Sequence, residues 1–395
     1  MRRVVKVSRI RIIITIIVVV LTTLLTGCTG KEPNEIAYVV ALGIDSTDDD
    51  NYKITIQYAN TTQISGGASE SGGKAGSEIV DNVTIEAPNI YAGVGLANNI
   101  VSKSFSMSHA KLIVFSKEVA EKGVKDMIET LVRSEEIRPD VFIAVANTTA
   151  NDYLTSVNPE MEVNPAQYYQ LIYQKNQLVG IPDGQLREFF TGLYTDNYDS
   201  ILPVAGVIEG SGGNSQNDDK GQSKDSQNEG SEGSSESLDS FESKNSDENE
   251  KEKDAEKNTS KYEYDIKNYV GGETAIEKKN KAEAIGAAVF EKDKMVGELG
   301  EVETEICKML KGDYTYSYLT YYNNDTPDIP ITVKTTQQKK PKYKIDTDKK
   351  TVDIELYIES DLYSLPADYN VENKIEDFER DVANYTSSTL SLIHI

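Results

Sequence analysis

The sequence is poor in the residues from which many catalytic and metal sites are built. Its 395 residues include two cysteines, two histidines and no tryptophan. Two cysteines exclude a disulfide framework and a cysteine-rich metal module, and two histidines argue against an imidazole-built metal or catalytic site. The 23 tyrosines, without tryptophan, favour sheet faces and surface contacts over a platform for stacked bases.

Positive charge is also scarce. The chain carries 41 lysines and arginines against 65 acidic residues, a formal net charge of -24. Nucleic-acid binding requires clustered basic side chains to neutralise phosphates, so we expect no nucleic-acid partner. The sequence contains no Walker motif, Gly-x-Ser-x-Gly elbow, His-Glu-x-x-His or Cys-x-x-Cys pair. It therefore offers no catalytic set and no cofactor motif, and we expect a protein that is not an enzyme.

The N-terminus has the pattern of a lipoprotein signal peptide. A basic front is followed by an apolar run from Ile12 to Leu25 and then by Leu25-Thr26-Gly27-Cys28. This tetrapeptide resembles the bacterial lipobox, so we predict a signal peptide over residues 1–27 and lipid attachment at Cys28. The alternatives are an uncleaved anchor and an ordinary signal with an incidental cysteine. A run of 14 residues is short for a helix that must cross ~30 Å of hydrocarbon.

A polar, acidic segment divides the rest of the chain. Residues Gly210–Ser260 contain 14 acids and six lysines and almost no apolar side chains. Such a segment cannot bury enough surface to offset the backbone entropy of folding. It predicts a disordered acidic linker over 210–260, a solvated spacer rather than an interaction tail. The linker would separate an N-terminal α+β domain (28–209) from a C-terminal α+β domain (261–389).

Strand and helix patterns alternate in both parts. Before the linker we predict strands over 38–44, 52–58, 111–115 and 141–146, and helices over 90–101, 119–133, 149–157 and 185–193. After it we predict strands over 284–290, 295–299, 314–320, 331–333 and 352–358, a helix around Cys307 and another over 371–385. The expected fold class is α+β and multidomain, with mixed sheets flanked by helices.

Three single residues could each suggest a functional site, but the other residues that such a site requires are not found around them. The acidic turn that begins at Asp45 has Asp50 and Ile56 where a calcium loop needs glycine and glutamate, so a solvated turn is expected. His109 has no designated acid or nucleophile and is expected to be structural. Cys307 lies among apolar residues at helical spacing, which favours a buried structural thiol.

The last six residues, 390–395, differ in character from the rest. The string Leu-Ser-Leu-Ile-His-Ile resembles the in-frame translation of a sequencing adapter. We therefore expect these residues to be an artefact and the natural C-terminal domain to be truncated near Thr389. The alternative is a genuine apolar C-terminus.

Several segments together resemble the Ger(x)C family of spore germination lipoproteins, the C subunits of GerA-type nutrient germinant receptors. The lipobox at Cys28 precedes a strand that ends Gly-Ile-Asp, and a Ser-His-x-Lys strand, an Arg-x-x-Glu-x-Arg turn and a Gly-Ala-Ala-Val-Phe strand follow in the family's order. These segments are Asn34–Asp45, Ser108–Phe115, Arg133–Asp140 and Gly286–Phe290. The chain departs from the family in lacking a Trp-Asp pair after the lipid cysteine and in its long acidic linker.

The resemblance implies a lipid-anchored subunit on the outer face of the spore inner membrane. Its implied partners are a polytopic A subunit and a transporter-like B subunit, with which it would help to trigger germination by nutrients. A non-catalytic scaffolding or signal-coupling role is expected, and direct binding of the nutrient is left open. The alternatives are a solute-binding lipoprotein of an ABC importer, which would need two similar lobes around a hinge, and an envelope hydrolase, which would need a convergent acid/base or metal site.

Overall fold

A computed structural model describes most of the chain in ten stretches. The described residues are 11–20, 35–60, 80–159, 162, 164–174, 180–208, 268–274, 280–323, 326–364 and 375–392. Residues 11–20 are helical and their side chains are exposed. Within the described stretches no helix is both long enough and apolar enough to cross a membrane. The predicted linker over 210–260 and the signal-peptide cleavage site lie outside the described residues.

A large mixed sheet of nine strands forms the first layer of the fold. Its order is β3-β2-β1-β5-β6-β7-β8-β9, with β4 pairing to β1. The strands β1, β5, β6 and β7 are parallel to one another, and the flanking pairs are antiparallel. The strands are β1 Ile36–Ser46, β2 Tyr52–Ala59, β3 Val80–Ala87, β4 Ser104–Ser106, β5 Leu112–Ser116, β6 Phe142–Ala146, β7 Ser200–Val207, β8 Ala282–Glu291 and β9 Lys294–Leu299.

Helices cover both faces of this sheet, which explains why its central strands are apolar without alternation. Every residue of β5 and β6 is buried, as expected for parallel strands covered on both sides. One face packs against α1 Ile90–Ala97, α2 Lys117–Lys122, α3 Lys125–Val132 and α6 Leu186–Leu193. The other face packs against α4 Ala150–Ser156 and α5 Pro165–Gln174, whose tyrosines are buried.

A smaller antiparallel sheet follows in the chain. Its strand order is β10-β11-β12. Two helices, α7 (Glu301–Lys311) and α8 (Ile375–Leu392), pack against it. A separate apolar core joins Leu319, Ile331 and Val333 of the sheet to Phe378, Val382 and Tyr385 of α8. The elements are α7 Glu301–Lys311, β10 Tyr316–Asn323, β11 Thr326–Asp346, β12 Thr351–Ser364 and α8 Ile375–Leu392. The expected α+β class, with mixed sheets flanked by helices, is confirmed.

Two strands that follow the acidic segment belong to the first sheet. The sequence pattern groups 284–290 and 295–299 with the C-terminal domain, but β8 pairs along β7, from Ser200 opposite Phe290 to Val207 opposite Ala282. Burial explains this placement, because the alanines at the centre of β8 and Phe290 are almost wholly buried against residues of the first core. Local periodicity does not indicate a pairing partner that lies 75 to 90 residues earlier in the chain. The domain boundaries themselves stay a prediction.

The helix predicted over 119–133 is in fact two helices. It breaks at Gly123, whose φ of +121° lies in a region that L side chains rarely adopt. The Val124 amide then donates to the Asp293 carbonyl at 3.0 Å, in the turn between β8 and β9. The break lets α2 and α3 each pack along the sheet while the chain contacts the distant hairpin of β8 and β9.

Four elements of the fold were not predicted from the sequence: the strands β3, β4 and β7 and the helix α5.

Asp45 is not part of a solvated turn. Its carboxylate is 4% exposed and accepts the Ala150 amide at 2.6 Å and the Asn151 amide at 3.1 Å, at the start of α4. Burial raises the pKa of Asp45, although these two hydrogen bonds oppose the shift. The side chain therefore fixes the first turn of α4 to the end of β1.

We expect Asp45→Ala to lower the free energy of unfolding by about 1–3 kcal/mol, because it leaves buried amides without an acceptor. Chemical denaturation monitored by circular dichroism measures the change. The matched control is Asp48→Ala in the turn that follows β1, where the side chain is exposed and the effect should stay within about 0.5 kcal/mol. Equal effects of the two substitutions would contradict the capping role.

Candidate functional site

A polar cavity of about 490 Å³ lies where the first sheet and its helices meet the elements around α7. One wall comes from the segment before α6, from α6 itself and from the chain leading into β7. The other wall comes from the end of α7 and the residues that lead into β10. Its charged and aromatic side chains are Asp183, Glu188, Phe189, Tyr198, Lys308, Lys311, Asp313 and Tyr314.

The sequence around α7 defines both ends of this helix. At its start, the Gly300 amide donates to the Glu303 carboxylate at 2.9 Å, and acids occupy the first turn. At its end, Gly312 adopts a φ of +76°, and lysines occupy the last turn. Acids at the N-terminus and lysines at the C-terminus complement the helix dipole. The C-terminal lysines thereby come to face the cavity.

Lys308 connects α7 to the segment that precedes α6. It is 6% exposed, and its Nζ donates to the Ile181 carbonyl at 3.1 Å. Burial lowers the pKa of Lys308, while the nearby carboxylates of Glu305, Asp313 and Asp183 oppose this shift.

Lys311 makes a second connection, to the segment that precedes β7. Its Nζ lies 5.1 Å from the centre of the Tyr198 ring and 3.4 Å from the Tyr198 hydroxyl. Lys308 and Lys311, one turn apart on α7, thus both contact residues that precede β7 or α6.

Glu305 connects the same helix to the second sheet. It is 6% exposed and accepts a hydrogen bond from the Ser317 hydroxyl of β10. Burial raises the pKa of Glu305 to about 7. Nearby, the buried hydroxyl of Tyr314 lies 2.5 Å from the Thr335 hydroxyl of β11. Through buried polar contacts, α7 therefore joins the segment before α6 to the second sheet.

The cavity carries carboxyl groups as well as amines. Burial raises the pKa of Asp183, and the charges of Glu188 and Asp313 raise it further. Across the described parts of the chain, no group of three or more histidine, cysteine, aspartate or glutamate side chains is placed to hold a metal ion. The polar side chains of this region connect α7 to the segment before α6 and to the second sheet.

The residues singled out in the sequence lie away from this cavity or outside the described residues. Leu25, Thr26, Gly27 and Cys28 fall in the undescribed stretch 21–34, and their assignment stays a prediction. His109 lies at the edge of the Tyr38 ring, 4.9 Å between centroids, with its Nδ1 3.0 Å from the Ser108 hydroxyl.

Cys307 is a free thiol on α7 that is partly rather than fully buried, and burial raises its pKa. Sequence reasoning missed the buried charges Glu305 and Lys308, which lie three residues apart on α7. Charges three residues apart on an amphipathic helix usually lie on its solvated face. Their burial was therefore not predictable from this spacing.

Two family models match the chain, in order. The model of the spore germination protein N-terminal domain matches residues 30–207. The model described as spore germination B3/GerAC like, C-terminal, matches residues 285–394. The two matches lie on either side of the predicted acidic linker.

Individual relatives have the same description. The chain is 26% identical to spore germination protein KC of Bacillus subtilis (strain 168) over 174 residues, 40% of this chain and 42% of that one. It is 28% identical to the putative spore germination protein YfkR of the same strain over 145 residues, 36% of this chain and 37% of that one. The chain thus spans about two fifths of the length of these curated relatives. The crystal structure of the GerBC protein aligns with a TM-score of 0.41 at 14% identity, covering 88% of this chain and 80% of that one.

The buried carboxyl of Glu305 predicts a pH-dependent stability. Its pKa rises from 4.5 to about 7 on folding, so its contribution is fully present below pH 4.5 and is lost as the pH rises through about 7. A shift of this size corresponds to about 3 kcal/mol. Glu305→Gln should therefore stabilise the protein at pH 8 and flatten its stability between pH 5 and 8.

Urea unfolding of both proteins at pH 5 and pH 8 measures this difference. Glu291→Gln is the matched control, because Glu291 is exposed at the end of β8 and should leave the pH profile unchanged. If Glu305→Gln kept the profile of the parent protein, Glu305 would not be the titrating group.

Proposed function

The chain belongs to the Ger(x)C family of spore germination proteins, and we propose that it is the C subunit of a nutrient germinant receptor. The observation that carries the proposal is the pair of family-domain matches, which together take in residues 30–207 and 285–394 in the family's order. The subunit would act with A- and B-type membrane subunits to trigger germination when nutrients are present. Its relatives are described as spore germination proteins, which supports this role.

We propose that the mature protein is held on the outer face of the spore inner membrane by lipid at Cys28. The support is the lipobox Leu25-Thr26-Gly27-Cys28 after a basic and apolar leader. A diacylglycerol at the new N-terminus supplies two acyl chains, and at ~0.8 kcal/mol per buried CH₂ two chains anchor a protein stably where one does not. The palmitoylated N-terminus typical of such lipoproteins would strengthen this anchor.

The proposed role is coupling rather than catalysis. Helix α7 contacts the segment before α6 through Lys308 and the second sheet through Glu305, so a displacement of the second sheet would be passed through buried polar contacts to the segment before α6. This arrangement supports a scaffold that relays a change between membrane subunits. The importer alternative requires two similar lobes, whereas the chain has a nine-stranded mixed sheet and a three-stranded antiparallel one.

Deletion of the gene should abolish germination by nutrients and leave germination by non-nutrient agents intact. The reason is that only the nutrient route passes through the receptor. The loss of optical density of a spore suspension, after addition of a nutrient mixture or a non-nutrient agent, measures the two routes separately. Normal nutrient germination in a strain without a redundant receptor would refute the proposed function.

Cys28→Ala should release the protein from the membrane fraction, because no thioether can form at alanine. Immunoblots of membrane and soluble fractions measure the distribution. The matched control is Cys307→Ala, which leaves the lipobox intact and should stay with the membrane. Retention of the Cys28→Ala protein would indicate an uncleaved anchor instead.

A further inference from the structure

The end of α1 exposes two large aliphatic side chains. Leu96 is 49% exposed and Ile100 is 69% exposed. The Ile100 amide donates to the Ala97 carbonyl at 3.0 Å, so the helical turn continues beyond α1. The two side chains, four residues apart, therefore lie on one side of this turn. Between them, the side-chain oxygen of Asn98 accepts the Phe105 amide of β4 at 2.8 Å. This hydrogen bond fixes the exposed turn to β4.

The exposed turn lies at the end of the first sheet where β1 begins. Phe105 of β4 stands opposite Ala37, the second residue of β1. Eight peptide units separate Cys28 from Ile36, the first residue of β1. A fully extended chain covers at most about 3.6 Å per residue, so a lipid at Cys28 would hold the start of β1 within about 29 Å of the membrane. In this respect the inference rests on the lipid anchor proposed above.

The two ends of β1 differ in charge. The strand has 11 residues, so the turn that follows it lies about 33 Å from its start. That turn carries the exposed acids Asp48, Asp49 and Asp50. By contrast, the segment that contains α1, β4 and β5, residues 87–117, has no acid in 31 positions, although the chain has 65 acids in 395. The surface beside the start of β1 therefore meets less repulsion from anionic lipid than the turn at the far end does.

Two acids beside this surface already accept hydrogen bonds. Glu136 accepts the Met107 amide, just after β4, at 2.7 Å. Asp81 accepts the side-chain amide of Asn60 at 3.2 Å, at the adjoining end of β3. Glu35, directly before β1, adds one exposed acid. The centre of the surface is thus apolar, and most of the charge around it is engaged within the protein.

We propose that the end of α1 and the turn 98–103 face the membrane to which Cys28 is anchored, and that Leu96 and Ile100 enter the interface between its headgroups and acyl chains. Insertion removes their exposed apolar surface from water. Since the lipid already holds the domain at the membrane, the insertion only has to orient it. The acidic turn at the other end of β1 then points away from the bilayer.

The test uses the full lipidated chain, reconstituted into vesicles of phosphatidylethanolamine and phosphatidylglycerol. Flotation on a density gradient and the mass of the mature protein report the lipid at Cys28 independently of the orientation. In a Cys307→Ser background, Ser102→Cys or Asp49→Cys carries a nitrobenzoxadiazole fluorophore at one end of β1 or the other; both positions are exposed. Lipids with a nitroxide close to the headgroup should quench the fluorophore at position 102 at least threefold more than that at position 49.

A double substitution tests the role of the two aliphatic side chains. Leu96→Glu combined with Ile100→Glu should lower the quenching at the labelled Ser102→Cys to that at the far end of β1, while flotation is unchanged because the lipid is retained. The matched control is Leu171→Glu combined with Val296→Glu, at positions that are 41% and 60% exposed on α5 and β9. This control should keep the quenching, and circular dichroism should show the same melting temperature for both variants.

Each result decides between lipid and other occupants of the surface. Equal quenching at the two ends of β1 in a floating protein would overturn the inference and leave the lipid anchor standing; a partner protein that covers this surface predicts that result. Quenching that survives Leu96→Glu with Ile100→Glu would also overturn it, because these side chains would not be the inserted groups. A chain that does not float would refute the anchor and the orientation together.

Discussion

The antiparallel pairing of β7 with β8 is the contact on which the rest of the fold depends. It joins residues 200–207 to residues 282–290 and so connects the chain before the acidic segment to the chain after it. Strand β9 is held by β8, and α7 starts directly after β9, where the Glu301 amide donates to the Tyr269 carbonyl at 2.8 Å. The position of α7, and with it the cavity and the second sheet, follows from this pairing.

Local patterns predicted most individual elements and few of their partners. Alternation identified β2 and much of β12, and continuous apolar runs identified β5 and β6, because burial on one or two faces is encoded within each strand. No local pattern indicates that β8 pairs with β7. The break at Gly123 is likewise not indicated locally, because the next residue's amide bonds to the Asp293 carbonyl of a distant turn. These features depend on residues far apart in sequence.

The family resemblance was confirmed, whereas the junction at α7 was not foreseen. Glu305 and Lys308 sit on an amphipathic helix and have the spacing of a solvated charged face, yet each is 6% exposed. Their burial arises because α7 lies between the second sheet and the segment before α6, which contributes the Ile181 carbonyl 127 positions away. Removing one partner of such a buried polar contact leaves the other group buried without compensation, so these contacts restrict how α7 can be placed.

The register of β7 and β8 has a consequence for how this gene can vary. Val207 lies directly opposite Ala282, so the chain leaves the sheet and re-enters it at neighbouring positions. The entropic cost of closing a loop grows only with the logarithm of its length, about 0.6 kcal/mol for each doubling. Changes of length between residues 208 and 268 therefore cost the fold little, whereas Tyr269 and Gly271, further along, bond to Glu301 and Ile285. A long acidic segment at this position needs no compensating change in the core.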